Sequence, residues 1–343
     1  MKEYITFDDV LIKPKFSTIK SRKDIDLSCI LGDVTLQLPI ISANMDTISG
    51  VGMAVAMGKA GGIGALHRFK SVDDNKIMFN ASRAADVSVA VSIGVGSAEQ
   101  DRAIQLYNVG ARLFVLDVAH GAQSQVVEQY EWMKENYPKT FIVVGNFASV
   151  ESVRDFMEKL DCRYKLDAVK VGIGPGSACT TRIKTGVGVP QLSAILEVAE
   201  LCHSNNIKVI ADGGMKTSGD IAKALAAGAD MVMLGGMLSG TDESEGDLVE
   251  RSNKWFKRYR GSASKDSYED QSKDQSYITT EGESFLVEYK GSVNSVIKDI
   301  EGGLRSAFSY VGASNIQEFQ SKAELIKVSA NAVRESQAHG KKL

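Results

Sequence analysis

The stretch "KVIADGGMKTSGDIAKALAAGADMVMLGG" (208–236) holds two short apolar runs, each ending in two glycines, with helical spacing between them. Ser218 is the predicted N-cap of this helix and Gly228 its end. Ile221 and Leu225 lie one helical turn apart on its apolar face. Runs that are apolar throughout are typical of parallel strands covered on both faces. The stretch therefore predicts a strand–helix–strand unit.

The same unit recurs along the chain. Earlier runs of this character are "LPIISANM" (38–45), "GIGALH" (62–67), "VSVAVSIG" (87–94), "RLFVLDVA" (112–119), "TFIVVGNF" (140–147) and "AVKVGIG" (168–174). With the two runs above they predict eight strands. Eight strand–helix units in roughly 250 residues are typical of a (β/α)8 TIM barrel of the α/β class, and an open doubly wound sheet is the alternative. We expect residues 1–343 to form one barrel domain.

Composition and charge exclude several classes of partner. Lys plus Arg number 40 against 43 Asp plus Glu, for a net charge of -3, so no overall field attracts nucleic acid or an anionic membrane. The start "MKEYITFDDVLIKP" lacks the pattern of a signal peptide, and no apolar run reaches the roughly 18 residues of a membrane helix. The 4 cysteines are too few for a disulfide framework. We expect a cytoplasmic protein.

The segment after the eighth strand interrupts the regular spacing. Within it, "SKDSYEDQSKDQSYITTEGES" (264–284) is strongly polar and almost free of aliphatic residues. Such a segment buries too little surface to stay ordered alone, and long loops in compact domains usually serve function. We therefore predict a mobile flap over about 253–290, followed by a C-terminal segment, 291–343.

Polar and glycine residues gather where the predicted strands end. Barrel enzymes carry their chemistry at the C-terminal ends of the strands. The ends here read Asn44-Met45-Asp46, His67-Arg68, Asp117, Gly145-Asn146, Gly172-Ile173-Gly174, Asp212-Gly213-Gly214 and Gly235-Gly236. The sequence therefore predicts a site on this face.

The loop "GIGPGSACTTR" (172–182) is the strongest candidate for chemistry. Cys179 lies between a glycine-rich turn and polar residues whose donors favour a thiolate nucleophile, although most free cysteines are structural. A Cys/His pair would form only across the barrel mouth, because His67 and His120 end other strands. Hydroxyl and carboxylate groups, Thr181 and Glu281, are the preferred proton carriers. The remaining cysteines are interpreted as buried structural residues: Cys29, Cys162 and Cys202.

Two Gly-Gly pairs end the neighbouring seventh and eighth strands, where barrels often build a phosphate site from backbone N–H groups. The alternative is a pair of tight turns. The carboxylate of Asp212 offers two acceptor oxygens to the two vicinal hydroxyls of a ribose. Because no GxGxxG unit opens a helix after the first strand, a dinucleotide is not held in the Rossmann manner.

Several motifs together resemble the IMP dehydrogenase/GMP reductase family from about Phe7 onward. They are "SANMDT" (42–47), "GGIGALH" (61–67), "VKVGIGPGSACTTR" (169–182), "GVGVPQLSAI" (186–195), "IADGGMKTSGDIAKALAAGADMVMLGGMLSGTDES" (210–244), "RYRGSAS" (258–264) and "GGLRSAFSYVGA" (302–313). The chain passes straight from the second to the third predicted strand, so we expect no CBS domains.

The details resemble the reductase branch more than the dehydrogenase branch. "IKTGVG" (183–188), "LDVAHG" (116–121) and a short flap without an Arg-Tyr pair favour the reductase, whereas Val189 resembles the dehydrogenase. The resemblance implies NADPH-dependent reductive deamination of GMP to IMP and ammonia, in purine nucleotide salvage. Cys179 would form a thioimidate with the base, and Thr181 and Glu281 would carry protons. An IMP dehydrogenase lacking CBS domains is the alternative.

The resemblance also implies the binding residues. The positions matching GMP contacts are Ser177, Asp212, Gly213, Gly214, Tyr259 (for phosphate), Gly235, Gly236, Gly261 and Ser262. Those matching the nicotinamide side of the cofactor site are Arg68, Asp117, Val118, Ala119, Asn146, Ile173 and Gly174. Those matching an adenosine subsite shared across a homotetramer boundary are Ser21, Arg22, Ser306 and Ser309. The carbonyls matching a K⁺ site are those of Gly174, Gly176 and Cys179.

Overall fold

Eight parallel strands close into a barrel in the computed structural model, which describes residues 2–271, 276 and 279–336. The strands are β1 (Ile40–Ser42), β2 (Ile63–Leu66), β3 (Val89–Ile93), β4 (Leu113–Asp117), β5 (Phe141–Phe147), β6 (Ala168–Val171), β7 (Lys208–Asp212) and β8 (Met231–Leu234). Strand β8 pairs with β1, Val232 opposite Ile40, and this pairing closes the sheet. The predicted barrel is confirmed, and the open sheet is wrong.

Helices connect the barrel strands and continue after the eighth strand. They are α1 (Val51–Lys59), α2 (Val72–Ala84), α3 (Ser97–Asn108), α4 (Ser124–Asn136), α5 (Val150–Lys159), α6 (Thr181–Thr185), α7 (Gln191–Ser204), α8 (Ser218–Ala226), α9 (Lys265–Asp270), α10 (Val293–Val311), α11 (Ile316–Lys322) and α12 (Ala330–Glu335). Phe7–Asp9 and Arg22–Asp24 are short 3-10 helices. In the described part of the chain, none of the helices combines the length and apolarity needed to cross a membrane.

Helix α8 begins one residue earlier than its sequence pattern suggests. Thr217, not Ser218, is the N-cap: its hydroxyl accepts the amide of Asp220, and the Asp220 carboxylate accepts the amide of Thr217. This reciprocal capping box satisfies two amides, whereas a cap at Ser218 would satisfy one. Gly228 follows the C-cap with a φ of +105°, as predicted for the end of the helix.

Further strands lie outside the barrel. Val10–Ile12 pairs with Leu325–Lys327, and Cys29–Leu31 pairs with Val34–Leu36. A three-stranded antiparallel sheet follows β8; its strands are β9 (Leu248–Arg251), β10 (Lys254–Arg260) and β11 (Ser284–Glu288). The predicted flap, 253–290, therefore contains two strands and α9, and its residues 272–275, 277 and 278 lie outside the described residues.

One end of the barrel interior is filled. Leu31 and Leu36, from the hairpin that precedes β1, are buried in one cluster with Ile210 and Met231 of the strands. A second and larger cluster joins the strands to the surrounding helices. Because apolar side chains occupy the end near the hairpin, the space for a ligand lies at the C-terminal ends of the strands.

Candidate active site

A cavity of about 370 Å³ opens at the C-terminal ends of the barrel strands. Most of the predicted site residues line it. They are Arg68, Asp117, Val118, Ala119, Asn146, Ile173, Gly174, Gly176, Ser177, Cys179, Thr181, Asp212, Gly213, Gly214, Gly235, Gly236, Tyr259, Gly261, Ser262 and Glu281. The cavity wall is therefore built from residues at the ends of many different barrel strands.

A chain of polar groups leads from the cysteine to a carboxylate. The Thr181 hydroxyl lies 3.2 Å from Cys179 Sγ and donates to Glu281 Oε2 at 2.7 Å. A hydroxyl carries one hydrogen, so while Thr181 donates to the carboxylate it accepts from the thiol. The three groups provide a path along which one proton moves from sulfur to Glu281.

Backbone pairing brings Glu281 to the cysteine loop. The amide of Thr180 donates to the Glu281 carbonyl at 2.8 Å, and the amide of Glu283 donates to the Ala178 carbonyl at 2.9 Å. Cys179 and Gly282 form an isolated antiparallel bridge. The segment before β11 thus acts as a short strand beside the loop, which aims the Glu281 side chain at Thr181.

Small residues and hydroxyls form the opposite side of the cavity. Gly213 and Gly214 have φ values of +84° and +85°, which residues other than glycine rarely adopt. A Cβ on Gly236 would stand 2.7 Å from Ser177 Oγ, so this backbone needs glycine for close approach. The Tyr259 hydroxyl lies 3.4 Å from Ser177 Oγ, and burial raises the pKa of this tyrosine. Two hydroxyl donors and accessible backbone amides suit a phosphate group.

A buried lysine lies at the floor of the cavity. Lys170 Nζ contacts Asp117 Oδ1 at 2.9 Å and Asp212 Oδ2 at 2.6 Å, and it donates to Asn146 Oδ1. Burial lowers its pKa, but the two carboxylates raise it by more, so the pKa lies above its usual value. Sequence reasoning missed Lys170, although a lysine within the apolar run "AVKVGIG" was a signal that could have found it.

Unpartnered donors mark the side of the cavity that faces β1 and β2. Within the described residues, Arg68 Nε and Asn44 Nδ2 are buried without a hydrogen-bond partner. His67 is buried beside them, and desolvation lowers its pKa to about 4, so its ring is neutral. Its Nδ1 accepts the amide of Phe69 at 3.1 Å. Among the described residues, the side-chain hydrogen-bond partner of Cys179 Sγ is the Thr181 hydroxyl, not His67.

The remaining cysteines differ in their exposure to solvent. Desolvation raises the pKa of Cys29 and of Cys202 to about 12, which disfavours a reactive thiolate at both positions. Cys202 is buried, as predicted, whereas Cys29 is only half-buried. Cys162 is exposed, so its interpretation as a buried residue is wrong. It lies in the turn between α5 and β6, where helical and strand neighbours in the sequence do not imply burial.

Four predicted cofactor residues lie away from the cavity: Ser21, Arg22, Ser306 and Ser309. They nevertheless come together around α10. The Arg305 guanidinium donates to the Arg22 carbonyl at 3.2 Å, and the Arg22 guanidinium lies 6.0 Å from the centre of the Tyr310 ring. The fold therefore forms a second, separate patch from these two segments.

The fold and the site define a (β/α)8-barrel enzyme whose cavity at the C-terminal ends of the strands brings Cys179, Thr181 and Glu281 together. The profile of the IMP dehydrogenase / GMP reductase domain matches residues 4–339, and the chain belongs to this family. Several GMP reductases are 37–40% identical to it over most of its length. That of Phytophthora infestans is 40% identical, covering 95% of this chain and 91% of its own.

Two further relatives bear on the branch of the family. An inosine-5'-monophosphate dehydrogenase from Nitrosopumilus maritimus is 32% identical, over 98% of both chains. A cysteine-to-alanine variant of GMP reductase from Trypanosoma brucei, solved with guanosine 5'-monophosphate, superimposes with a TM-score of 0.92 at 27% identity. That alignment covers 100% of this chain and 99% of the solved one.

Proposed function

We propose that this chain is an NADPH-dependent GMP reductase that converts GMP to IMP and ammonia. The observation that carries the proposal is the Cys179–Thr181–Glu281 chain, with its 3.2 and 2.7 Å contacts, at a cavity with a phosphate-suited side. The 37–40% identity to several GMP reductases supports the same activity. Purine nucleotide salvage is the process in which such a reaction serves.

Cys179 supplies the nucleophile. Its sulfur, once deprotonated, forms a bond to C2 of the guanine ring, and the C2 amino group leaves after receiving a proton. Thr181, which contacts that sulfur, and Glu281, which contacts Thr181, deliver the proton, so ammonia departs and a thioimidate remains. Hydride addition at C2 then breaks the carbon–sulfur bond, which releases IMP and returns the thiolate.

The remaining cavity residues orient the nucleotide. We assign the phosphate to the hydroxyls of Ser177 and Tyr259 and to the glycine backbone opposite them. The Asp212 carboxylate receives the ribose hydroxyls, because it offers acceptors only. Gly261 and Ser262 line the same cavity and complete the wall around the base.

NADPH would occupy the side of the cavity formed by the residues that follow β1, β2, β4 and β5. The unpartnered Arg68 Nε and Asn44 Nδ2 there are donors in need of an acceptor, which fits a polar ligand. The bound cofactor supplies the hydride. Asp117, with Val118 and Ala119 beside it, would hold its ribose. We further propose that Ser21, Arg22, Ser306 and Ser309 serve the adenosine end of a neighbouring subunit's cofactor in a homotetramer.

We further propose that the cysteine loop binds a monovalent cation. The carbonyls of Gly174, Gly176 and Cys179 would hold K⁺, since carbonyl oxygens replace its hydration shell. The Gly176 carbonyl accepts the Cys179 amide at 3.0 Å and keeps a second lone pair for a cation. Replacing K⁺ by a bulky organic cation in the assay, at constant ionic strength, tests this part of the proposal.

One assay separates the reductase from the dehydrogenase. Purified protein is mixed with GMP and NADPH, or with IMP and NAD, while nicotinamide absorbance and ammonia are followed together. We expect turnover with release of ammonia in the first mixture. Turnover in the second mixture alone would identify an IMP dehydrogenase and overturn the proposal. Cys179→Ala should abolish turnover and still bind GMP.

A further inference from the structure

Lys170 lies between the part of the cavity assigned here to GMP and the part assigned to the cofactor. Its side chain is 2% exposed, and its ammonium contacts Asp212, assigned here to the ribose of GMP, and Asp117, assigned to the cofactor. Each of these carboxylates comes from a different strand, β7 and β4, and Lys170 comes from β6. One buried cation therefore serves both ligand subsites.

The two carboxylates are close enough to repel each other. Since both contact the same nitrogen, at 2.9 and 2.6 Å, the two contacting oxygens lie no more than about 5.5 Å apart. Like charges at this separation repel each other, and a cation between them offsets that repulsion. Asp117 and Asp212 are the charged groups that bear on Lys170, and Asn146 is its uncharged partner.

We infer that Lys170 is a positioning residue whose single charge offsets the repulsion between Asp117 and Asp212, so that Asp212 stays oriented for GMP. This inference rests on the proposed function. Asn146 assists, because its amide donates to Asp212 Oδ2 at 3.0 Å and to the Gly172 carbonyl at 2.6 Å. A carboxylate held in this way presents its free oxygen lone pairs to the ribose.

The test measures GMP affinity by calorimetry without cofactor, in a Cys179→Ala background that prevents chemistry. We expect Lys170→Met to weaken GMP binding about 10-fold or more, because removal of one member of a buried ion pair leaves the remaining charges without a partner. Asp117→Asn alone should change GMP affinity by less than about 3-fold, because Lys170 still pairs with Asp212. Adding Asp117→Asn to Lys170→Met should restore affinity to within about 3-fold of the background, since the repulsion is gone.

Rescue by a conservative variant adds a readout that a merely structural role would not move. Lys170→Arg keeps a cation between the two carboxylates and should bind GMP within about 3-fold of the background, whereas the uncharged Lys170→Met should not. If Lys170→Met does not fold, the double variant and Lys170→Arg are compared instead, and both must keep GMP affinity within about 3-fold of the background.

The outcomes distinguish this inference from the proposed function. An unaltered protein that neither binds GMP nor turns it over with NADPH would refute the function itself. A protein that binds GMP, but whose Lys170→Met variant binds it equally well, would refute the role of Lys170 alone. If Lys170→Met loses GMP affinity and the added Asp117→Asn does not restore it, the positioning role is refuted and Lys170 is only a structural residue.

Discussion

Thr181 connects Cys179, the proposed nucleophile, to Glu281, the proposed proton acceptor. Replacing it with valine keeps the branched shape and removes the hydroxyl that contacts Cys179 Sγ at 3.2 Å and Glu281 at 2.7 Å. A hydrogen bond to a charged group contributes about 1.5–3 kcal/mol, and each 1.36 kcal/mol is tenfold in rate. The lost contact to Glu281 alone therefore predicts a fall in kcat of about 10- to 150-fold. Loss of general acid catalysis typically costs about 10²–10⁴-fold, so we expect about 10²-fold or more.

The assay follows NADPH oxidation at saturating GMP and, in single-turnover experiments, the release of ammonia. Ammonia release should slow far more than hydride transfer, because the departing nitrogen needs the proton. Thr181→Ser keeps a hydroxyl and should retain most of the rate. Thr180→Val is the matched control: the neighbouring hydroxyl is buried without a partner among the described residues, so its removal should leave kcat within about 3-fold.

The rate losses caused by Thr181→Val and by Glu281→Gln should not be additive. Thr181 and Glu281 act as one unit, so Thr181→Val combined with Glu281→Gln should be about as slow as the slower single variant. Two independent losses that multiply would show that the residues serve separate steps. A Thr181→Val enzyme within about 3-fold of the unaltered rate would refute the proton path altogether.

Three further predictions address binding, stability and reactivity. Gly236→Ala places a methyl group 2.7 Å from Ser177 Oγ, so displacement of this hydroxyl should raise the KM for GMP about 10-fold in steady-state assays. Tyr130→Phe removes a buried hydroxyl that donates to a backbone carbonyl at 2.6 Å, and should lower the free energy of unfolding by about 1–3 kcal/mol in urea titrations. A thiol reagent should label exposed Cys162 in the native protein, and label Cys202, whose pKa is about 12, only after unfolding.

Each of these variants has a control on the same chain. Gly302→Ala lies in α10, where no atom of the described residues outside the neighbouring helix backbone comes within 4 Å of the new methyl group, and it should leave the KM for GMP unchanged. Tyr4→Phe, at a 42% exposed position, should leave unfolding unchanged. Equal effects in a variant and its control would contradict the contact on which that prediction depends.

The sequence by itself determined the barrel and the face that carries the site. Eight apolar runs at a regular interval were sufficient to predict the barrel, because a strand covered on both faces needs apolar residues at every position. The polar strand ends then identified the rim of the cavity. Cap positions were less certain: Thr217 and Ser218 are both good caps, and only the reciprocal bond with Asp220 selected Thr217.

Only the tertiary structure decided which distant groups meet. Glu281 reaches Thr181 through backbone pairing between segments 100 residues apart, and no local pattern specifies that pairing. Lys170 finds Asp117 and Asp212 because closure of the barrel sets the register of three strands and turns these side chains to one interior. In a strand that is apolar on both faces, the pattern of residues does not reveal which face points inward, so the sequence leaves such contacts open.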